Sequence, residues 1–305
     1  MINRLIEFGR KAPEGRFKEF VRSLLSKYYD PLDALVTGVE MLPDGSLFVE
    51  LNNGVRFSAQ RDRAIRDGID NLSPRRYRSG HGKRHLLAET GAIGSFISLW
   101  FNLREIYVRN IYEEYYKLKK GDIVVDLGAN MGLFTVKAAK AVGDEGIVIA
   151  IEPEVDNLRF LERNVMENEV GNVVIVPKGV WSGKDRLKLF ISGFTGHHSL
   201  LHCEDKNRFV EVEVDTVDNI LRELGVKKVD FIKMDIEGAE IEACKGMKQT
   251  LKDNDVKLAI DVEVSHIEGA NQTDRIIASW LNRSGFEVCV KKGIVYGMKK
   301  PSLSS

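Results

Sequence analysis

The sequence is poor in cysteine, in glutamine and in long apolar stretches, and it carries no net charge. Its three cysteines, Cys203, Cys244 and Cys289, form no Cys-x-x-Cys pair, which argues against a zinc knuckle or a redox motif. A sparse, odd set of cysteines is typical of a reducing cytosol, so we expect a cytoplasmic protein. No uncharged stretch reaches the ~20 residues of a membrane-spanning helix, and the first residues lack a signal-peptide core.

The balance of charge argues against a protein that coats nucleic acid through bulk electrostatics, since 45 basic residues meet 45 acidic ones in 305 residues. A hydrophobic fraction of 43% and a charged fraction of 30% are those of a globular protein, which excludes disorder as a description of the whole chain. Glutamine occurs only three times while lysine and glutamate abound, a bias that is typical of heat-adapted proteins.

The zero net charge is the sum of two opposite halves. Residues 1–120 carry six more basic than acidic side chains, and residues 121–305 carry six fewer. The basic excess comes from residues 56–85, which hold nine Lys or Arg against three Asp. One interpretation of this segment is a solvent-exposed surface, or a surface that forms salt bridges with the acidic half. The other is a surface that recognises an anionic acceptor such as a phosphorylated compound or RNA.

The hydrophobic pattern changes near residue 115. Before it, residues 16–29 have helical spacing, and residues 47–57 predict a hairpin that turns at Asn-Asn-Gly. After it, short apolar runs alternate with helical patterns, which predicts an α/β fold with a mostly parallel sheet covered by helices on both faces. One of these helices is predicted to run from Gly238 to about Leu251. Ligands of such sheets bind at the carboxyl ends of the strands.

The first motif with chemical content is residues 126–132 (DLGANMG), between an apolar run and a helical pattern. Glycine lets the backbone approach a ligand closely, and a helix N-terminus supplies N–H donors. The dinucleotide fingerprint G-x-G-x-x-G is not met, because Asn130 and Leu133 replace its second and third glycines. Asp126 suits a ligand that has no pyrophosphate at this point. The alternative is a plain turn that needs small residues.

An acidic residue ends the next apolar run. Glu152 lies 24 residues after Gly128, and an acid at about this offset accepts hydrogen bonds from the ribose hydroxyls of an adenosine cofactor. Pro153 follows it at a predicted helix start. The alternative interpretation of Glu152 is an acid that the helix macrodipole favours at that position. The glycine motif just upstream favours the ribose role.

Two later strands bring more acidic side chains to the same edge of the sheet. Asp235 and Glu237 follow one strand, where they could position a hydroxyl, act as a base or hold a metal. Strand alternation puts Asp261 and Glu263 on one side of the neighbouring strand, with Glu263 and His266 near its tip. A lone histidine is more often structural, and Glu237 could be an N-terminal helix acid. The adjacent His197 and His198 lack the i, i+4 spacing of a helical metal site, so no metal is predicted, and metal dependence is left open.

Together these motifs resemble the FkbM family of S-adenosylmethionine-dependent methyltransferases, over roughly residues 105–300. The resemblance is carried by VVDLGANMG, IAIEP and above all VDFIKMDIEGAE. It implies a class I methyltransferase (Rossmann-like) fold, with a seven-stranded sheet whose last strand is antiparallel. Residues 116–300 would form this domain, and residues 1–115 an N-terminal α+β cap region. The family's activity implies S-adenosylmethionine as cofactor and transfer of its methyl group to a hydroxyl of a sugar or small-molecule acceptor.

The resemblance also implies roles for residues of each motif. Asp235, Glu237, Glu263 and His266 would face the methyl acceptor, with either Asp235 or His266 as the base. The other residues would contact the cofactor in three groups. These are Asp126, Gly128, Ala129, Asn130 and Gly132 at its methionine part, Glu152 and Pro153 at its ribose, and Gly179, Val180 and Trp181 beside its adenine.

Three alternatives stay open on the sequence alone. The first is an NAD(P)-binding oxidoreductase of doubly wound type, which the unmet fingerprint disfavours. The second is an RNA methyltransferase that uses the basic segment 56–85. The third is a non-catalytic module of the same fold. A small-molecule or glycan acceptor is favoured over nucleic acid, and the oligomeric state is left open.

Overall fold

The computed structural model of the protein describes residues 35–42, 46–59, 99, 101–191, 199–200, 209–262 and 272–300. The described residues belong to two compact units, one up to Arg109 and the other from Asn110 onward. The helix expected at residues 16–29, most of the basic segment, Glu263 and His266 lie outside the described residues. Among the described residues, no helix is long and apolar enough to cross a membrane.

The first unit contains the expected hairpin. Its turn comprises Asn52, Asn53 and Gly54; Gly54 has a φ of +78°, and the side chain of Asn53 accepts a hydrogen bond from the amide of Val55 at 3.2 Å. A third strand precedes the hairpin and completes a small antiparallel sheet. Its strands, in spatial order, are β1 (Val36–Met41), β2 (Leu47–Leu51) and β3 (Arg56–Ala59).

The second unit alternates strands and helices, as the sequence pattern predicts. Its strands are β4 (Ile123–Leu127), β5 (Ile147–Ile151), β6 (Val173–Val176), β7 (Gly179–Val180), β8 (Asp185–Phe190), β9 (Phe209–Asp215), β10 (Phe231–Met234), β11 (Lys257–Asp261), β12 (Phe286–Lys291) and β13 (Ile294–Lys299). Its α-helices are α1 (Leu133–Val142), α2 (Val155–Glu167), α3 (Val217–Glu223), α4 (Glu240–Lys245), α5 (Lys248–Asp253) and α6 (Thr273–Arg283).

Seven of these strands form the main sheet, in the order β12-β13-β11-β10-β4-β5-β6. The five strands from β11 to β6 in this order are parallel, whereas β13 is antiparallel to both of its neighbours. Central residues such as Val124, Ile149 and Ile232 have no exposed surface, because both faces of the sheet are covered. The predicted fold class is therefore confirmed, including the antiparallel last strand. A second sheet has the order β7-β9-β8.

The prediction of a single helix up to Leu251 is wrong, because two shorter helices, α4 and α5, occupy this range. The chain bends between them at Gly246, where a Cβ atom would lie 2.3 Å from the carbonyl oxygen of Trp181. The second helix is capped from a distance: the carboxylate of Asp218 accepts from the amides of Gln249 at 3.0 Å and Thr250 at 2.8 Å. The spacing of apolar residues along a helix does not show contacts with segments this far away in the sequence, so the break could not be predicted from it.

Two motifs of the sequence meet closely at the end of the central strands. A Cβ atom on Gly128 would lie 1.9 Å from the carbonyl oxygen of Asp235, and Gly128 has a φ of +75°. The amide of Asp235 in turn donates to the carbonyl of Leu127 at 3.0 Å. Only glycine fits between the loop after β4 and the end of β10, for reasons of both space and backbone angle.

We expect Gly128→Ala to lower the free energy of unfolding by at least about 2 kcal/mol, because the new methyl group meets backbone that cannot rotate away. Gly183→Ala is the matched control, since no atom lies within 4 Å of its Cβ position. That variant should stay within about 0.5 kcal/mol of the wild type. Urea unfolding of both variants measures the effect. Equal stability of the two would contradict the close approach.

Candidate active site

The loop after β4 donates all of its backbone amides within the protein. Each amide from Gly128 to Gly132 has a protein acceptor, so none is directed to a phosphate group in this arrangement. The donor–acceptor pairs are Gly128 and Ala129 to the carbonyl of Ile151 at 3.0 Å each, Asn130 to Glu152 Oε2 at 2.8 Å, Met131 to Asn130 Oδ1 at 2.7 Å, and Gly132 to the carbonyl of Ala129 at 2.8 Å.

Glu152 lies at the carboxyl end of β5 and is buried. Its Oε1 accepts from the amide of Glu154 at 2.9 Å and from Asn157 Nδ2 at 3.2 Å, while its Oε2 accepts from the loop at Asn130. Burial raises the pKa of Glu152 to about 7, and these hydrogen bonds oppose the rise. A carboxylate offers about four lone-pair sites, and these hydrogen bonds use three of them. Pro153 is half-buried beside it.

The carboxylate of Asp126 is fully buried and contacts protein groups rather than an open pocket. Thr135 Oγ1 donates to its Oδ2 at 2.6 Å, and the ammonium of Lys233 lies 3.1 Å from its Oδ1. The same ammonium donates to the carbonyl of Gly128 at 2.8 Å. Burial disfavours the charged form of Lys233, but Asp126 and then Asp235 outweigh it and hold the pKa of Lys233 above its usual value. Lys233 therefore joins β10 to the loop after β4.

Asp235 follows β10, and its side chain is 38% exposed. Its Oδ2 accepts from the hydroxyl of Tyr112 at 2.9 Å and lies 4.0 Å from the ammonium of Lys233. Glu237 is half-buried two residues later in the left-handed backbone region (φ +55°), and its carbonyl accepts from Ser199 Oγ at 2.7 Å. This turn carries backbone strain of a kind that often accompanies functional sites.

Asp261 ends β11, the strand next to β10. Because Met234 of β10 is in register with Ile260 of β11, Asp235 and Asp261 are adjacent at the edge of the sheet. Burial and the charge of Asp235 raise the pKa of Asp261 to about 7, against the opposing effect of Lys233. The two carboxyl groups thus have unequal surroundings although they are neighbours.

The turn that the sequence predicts beside the adenine is ordered by β9 and by the bend between α4 and α5. Gly179 and Val180 are buried in β7, which pairs with β9. The amide of the half-buried Trp181 donates to the carbonyl of Asp215 at 2.9 Å. These residues follow β6 in the chain, so they lie beyond the carboxyl end of the strand that borders β5.

The sequence assigned no role to two residues of the site. Lys233 lies within the motif VDFIKMDIEGAE and had a signal, since it is a lysine in the middle of an otherwise apolar strand, and only a buried partner makes such a residue tolerable. Tyr112 had none, because it precedes every motif and reaches Asp235 across 123 positions of sequence. In the part of the chain that the structure describes, no group of three His, Cys, Asp or Glu residues could hold a metal ion.

Comparison with known proteins places this geometry in a family. The family model described as "Methyltransferase FkbM domain" matches residues 126–288, just over half of the chain. The protein named "Methyltransferase sdnD" of Sordaria araneosa is 26% identical over 186 residues, which cover 51% of this chain and 71% of that protein. The "Probable cobalt-precorrin-6B C(15)-methyltransferase (decarboxylating)" of Sulfurisphaera tokodaii is 30% identical over 146 residues, 43% of this chain and 72% of that one.

Among solved structures, the FkbM methyltransferase of Methylobacillus flagellatus is similar to this chain at 17% identity and a TM-score of 0.44. The match covers 69% of this chain and 54% of that one. The chain therefore spans about half the length of that structure.

We expect Lys233→Met to lower the free energy of unfolding by about 3 kcal/mol, because Asp126 is left as a buried charge without its cation. Lys184→Met, at an exposed position of the same unit, is the control and should be near neutral. Adding Asp126→Asn to Lys233→Met should recover part of the loss. Urea unfolding measures all three. If Lys233→Met were as stable as Lys184→Met, the buried pair would have no structural role.

Proposed function

Because the chain belongs to the FkbM methyltransferase family, we propose that it methylates a hydroxyl oxygen of a sugar or another small-molecule acceptor. Its activity as an S-adenosylmethionine-dependent methyltransferase follows from the family match, which covers the glycine loop, Glu152 and the acidic motif. The hydroxyl acceptor and the roles of single residues are the proposal. The observation that supports it most is the exposed carboxylate of Asp235 beside the half-buried Asp261 at the carboxyl ends of β10 and β11.

The glycine loop fits S-adenosylmethionine better than a dinucleotide. A pyrophosphate needs free backbone amides, and the amides from Gly128 to Gly132 already have protein acceptors. The uncharged ribose and the cationic methionine part of S-adenosylmethionine do not need free backbone amides. When bound, S-adenosylmethionine supplies a methyl group on a positively charged sulfur. This difference disfavours the NAD(P)-dependent alternative.

In the proposed arrangement the predicted groups of residues keep their roles, except that Asp126 is buried against Thr135 and Lys233 and does not face the cofactor. Glu152 accepts a ribose hydroxyl beside Pro153, Gly128–Gly132 borders the methionine part, and Gly179–Trp181 flanks the adenine. Asp235 and Glu237, with Glu263 and His266 beyond the described residues, face the acceptor. The chain aligns the acceptor oxygen with the methyl group and removes the hydroxyl proton. Residues 1–115 would then select the acceptor.

A carbon acceptor is the second candidate. The relative that is 30% identical carries the name of a C(15)-methyltransferase, so methylation at carbon is a real alternative for a chain of this fold. The RNA alternative depends on the basic segment, of which the structure describes only residues 56–59. Incubation with S-adenosylmethionine labelled in the methyl group and a panel of monosaccharides, small hydroxylated metabolites and RNA separates these cases. A labelled methyl ether supports the proposal, whereas a new carbon–carbon bond or labelled RNA contradicts it.

We expect S-adenosylhomocysteine to raise the melting temperature in proportion to the logarithm of its concentration, as a ligand of the folded state does. NAD and NADP should leave it unchanged. Glu152→Gln should weaken S-adenosylhomocysteine binding about 10-fold, because a side-chain amide replaces an acceptor oxygen. Glu162→Gln, on the exposed side of α2, is the control. Calorimetric titration checks both variants, and stabilisation by NAD(P) alone would refute the cofactor assignment.

A further inference from the structure

A tyrosine from outside the family-matched range is fixed against the two acids of the site. Tyr112 lies in a short 3₁₀ turn, Ile111–Glu113. Lys137 of α1 donates to the side chain of Asn110 at 2.7 Å and pairs with Glu113, and Tyr296 of β13 donates to the carbonyl of Ile111 at 2.6 Å. The turn is thus held from a helix on one side and from the sheet on the other.

The side chain of Tyr112 has a single defined position. Its ring is buried in edge contact with Phe134 at 5.5 Å, and the ammonium of Lys233 lies 5.4 Å from the ring centre. Its hydroxyl donates to Asp235 at 2.9 Å, and the same hydroxyl lowers the pKa of the neighbouring Asp261. Burial, with the charges of Asp235 and then Asp261, raises the pKa of Tyr112 well above its usual value. The hydroxyl therefore keeps its proton and donates it to Asp235.

The two carboxyl groups beside Tyr112 have different surroundings. The side chain of Asp235 is 38% exposed, accepts the hydrogen bond from Tyr112 at 2.9 Å and lies 4.0 Å from the ammonium of Lys233. Asp261 is half-buried, and the charged or titratable groups that face it are Asp235 and Lys233 of β10, Glu240 of α4, Tyr112, and Tyr296 of β13. The charges of Asp235 and Glu240 disfavour its anion and burial acts in the same direction, whereas Lys233 and the Tyr112 hydroxyl favour it.

We propose that Asp261 accepts the proton of the acceptor hydroxyl, and that Tyr112 is a positioning residue whose hydrogen bond fixes the carboxyl group of Asp235 beside it. In this step the O–H bond of the acceptor breaks and its proton moves to a carboxylate oxygen of Asp261. The acceptor oxygen bonds to the methyl carbon, and the electron pair of the broken C–S bond stays on sulfur. Asp235, held by Tyr112, orients the acceptor. Asp261 takes the place of Asp235 or His266 as the base.

This inference rests on the proposed methyl transfer, and its first test is independent of activity. An aspartate whose folded-state pKa is about 7 but whose unfolded-state pKa is ~3.9 destabilises the fold increasingly as the pH rises from 4 to 7. Asp261→Asn removes that penalty. The melting temperature of Asp261→Asn minus that of the wild type should therefore grow by roughly 5 °C between pH 5 and pH 8. This difference should level off above pH 7. Asp144→Asn, at an exposed turn position, should give a flat difference.

Substitution of two neighbours of Asp261 should shift the pH dependence of this melting-temperature difference in opposite directions. In a Tyr112→Phe background, Asp261 loses a hydrogen bond that lowers its pKa, so the Asp261→Asn difference should level off at a higher pH. In an Asp235→Asn background, Asp261 loses a repulsive charge, and the difference should level off at a lower pH. A Tyr112 that only packed against Phe134 would not move the profile. A flat Asp261→Asn difference between pH 5 and pH 8 overturns the inference.

The second test uses the acceptor that the labelled-methyl panel yields. Asp261→Asn should lower kcat roughly 100-fold or more and remove the rise of kcat with pH near neutrality. In Asp235→Asn the rise of kcat with pH should persist, with its midpoint at a lower pH than in the wild type. S-adenosylhomocysteine should still raise the melting temperature of Asp261→Asn, which separates loss of the base from loss of cofactor binding. Full activity of Asp261→Asn overturns the inference while leaving the proposed function intact. A panel without any product contradicts the proposed function, and the pH profile of stability then decides on Asp261 alone.

Discussion

The ammonium group of Lys233 is the interaction on which the site depends. It comes from the middle of a buried strand and meets a carboxylate of β4, a carbonyl of the glycine loop and, at longer range, Asp235. Without it, Asp126 would be a charge in the core and the loop carbonyl would lose its donor. The same buried cation therefore holds the glycine loop and opposes the rise in the pKa of Asp261. In the proposed arrangement, this links the cofactor side of the sheet edge to the acceptor side.

Backbone contacts reinforce the same junction. The loop after β4 and the end of β10 are so close that Gly128 has no room for a side chain, and the amide of Asp235 completes the parallel pairing with Leu127. Behind the loop, Asn164 of α2 donates to the carbonyl of Met131 at 2.7 Å. The loop is consequently supported from three directions by the chain itself. Such support fits a role in presenting a preformed surface to the cofactor.

The fold could be predicted from the sequence because the patterns that indicate its strands, helices and turns are local. Short apolar runs, the Asn-Gly turn and the glycine motif each depend on neighbours in the chain, and the sheet confirms them. The break between α4 and α5 was missed because its causes, Trp181 and Asp218, come from other segments. The partners of the acids were missed for the same reason. Strand order brings Asp235 and Asp261 together, but no pattern in the sequence reveals that Tyr112 joins them.

The origin of Tyr112 has a consequence for how the family motifs are used. The match to the family model begins at residue 126, so the hydroxyl that donates to Asp235 lies upstream of the matched range. In the proposed mechanism, a change at this one upstream residue alters the working pH of the acids while the sheet and its glycine loop stay unchanged.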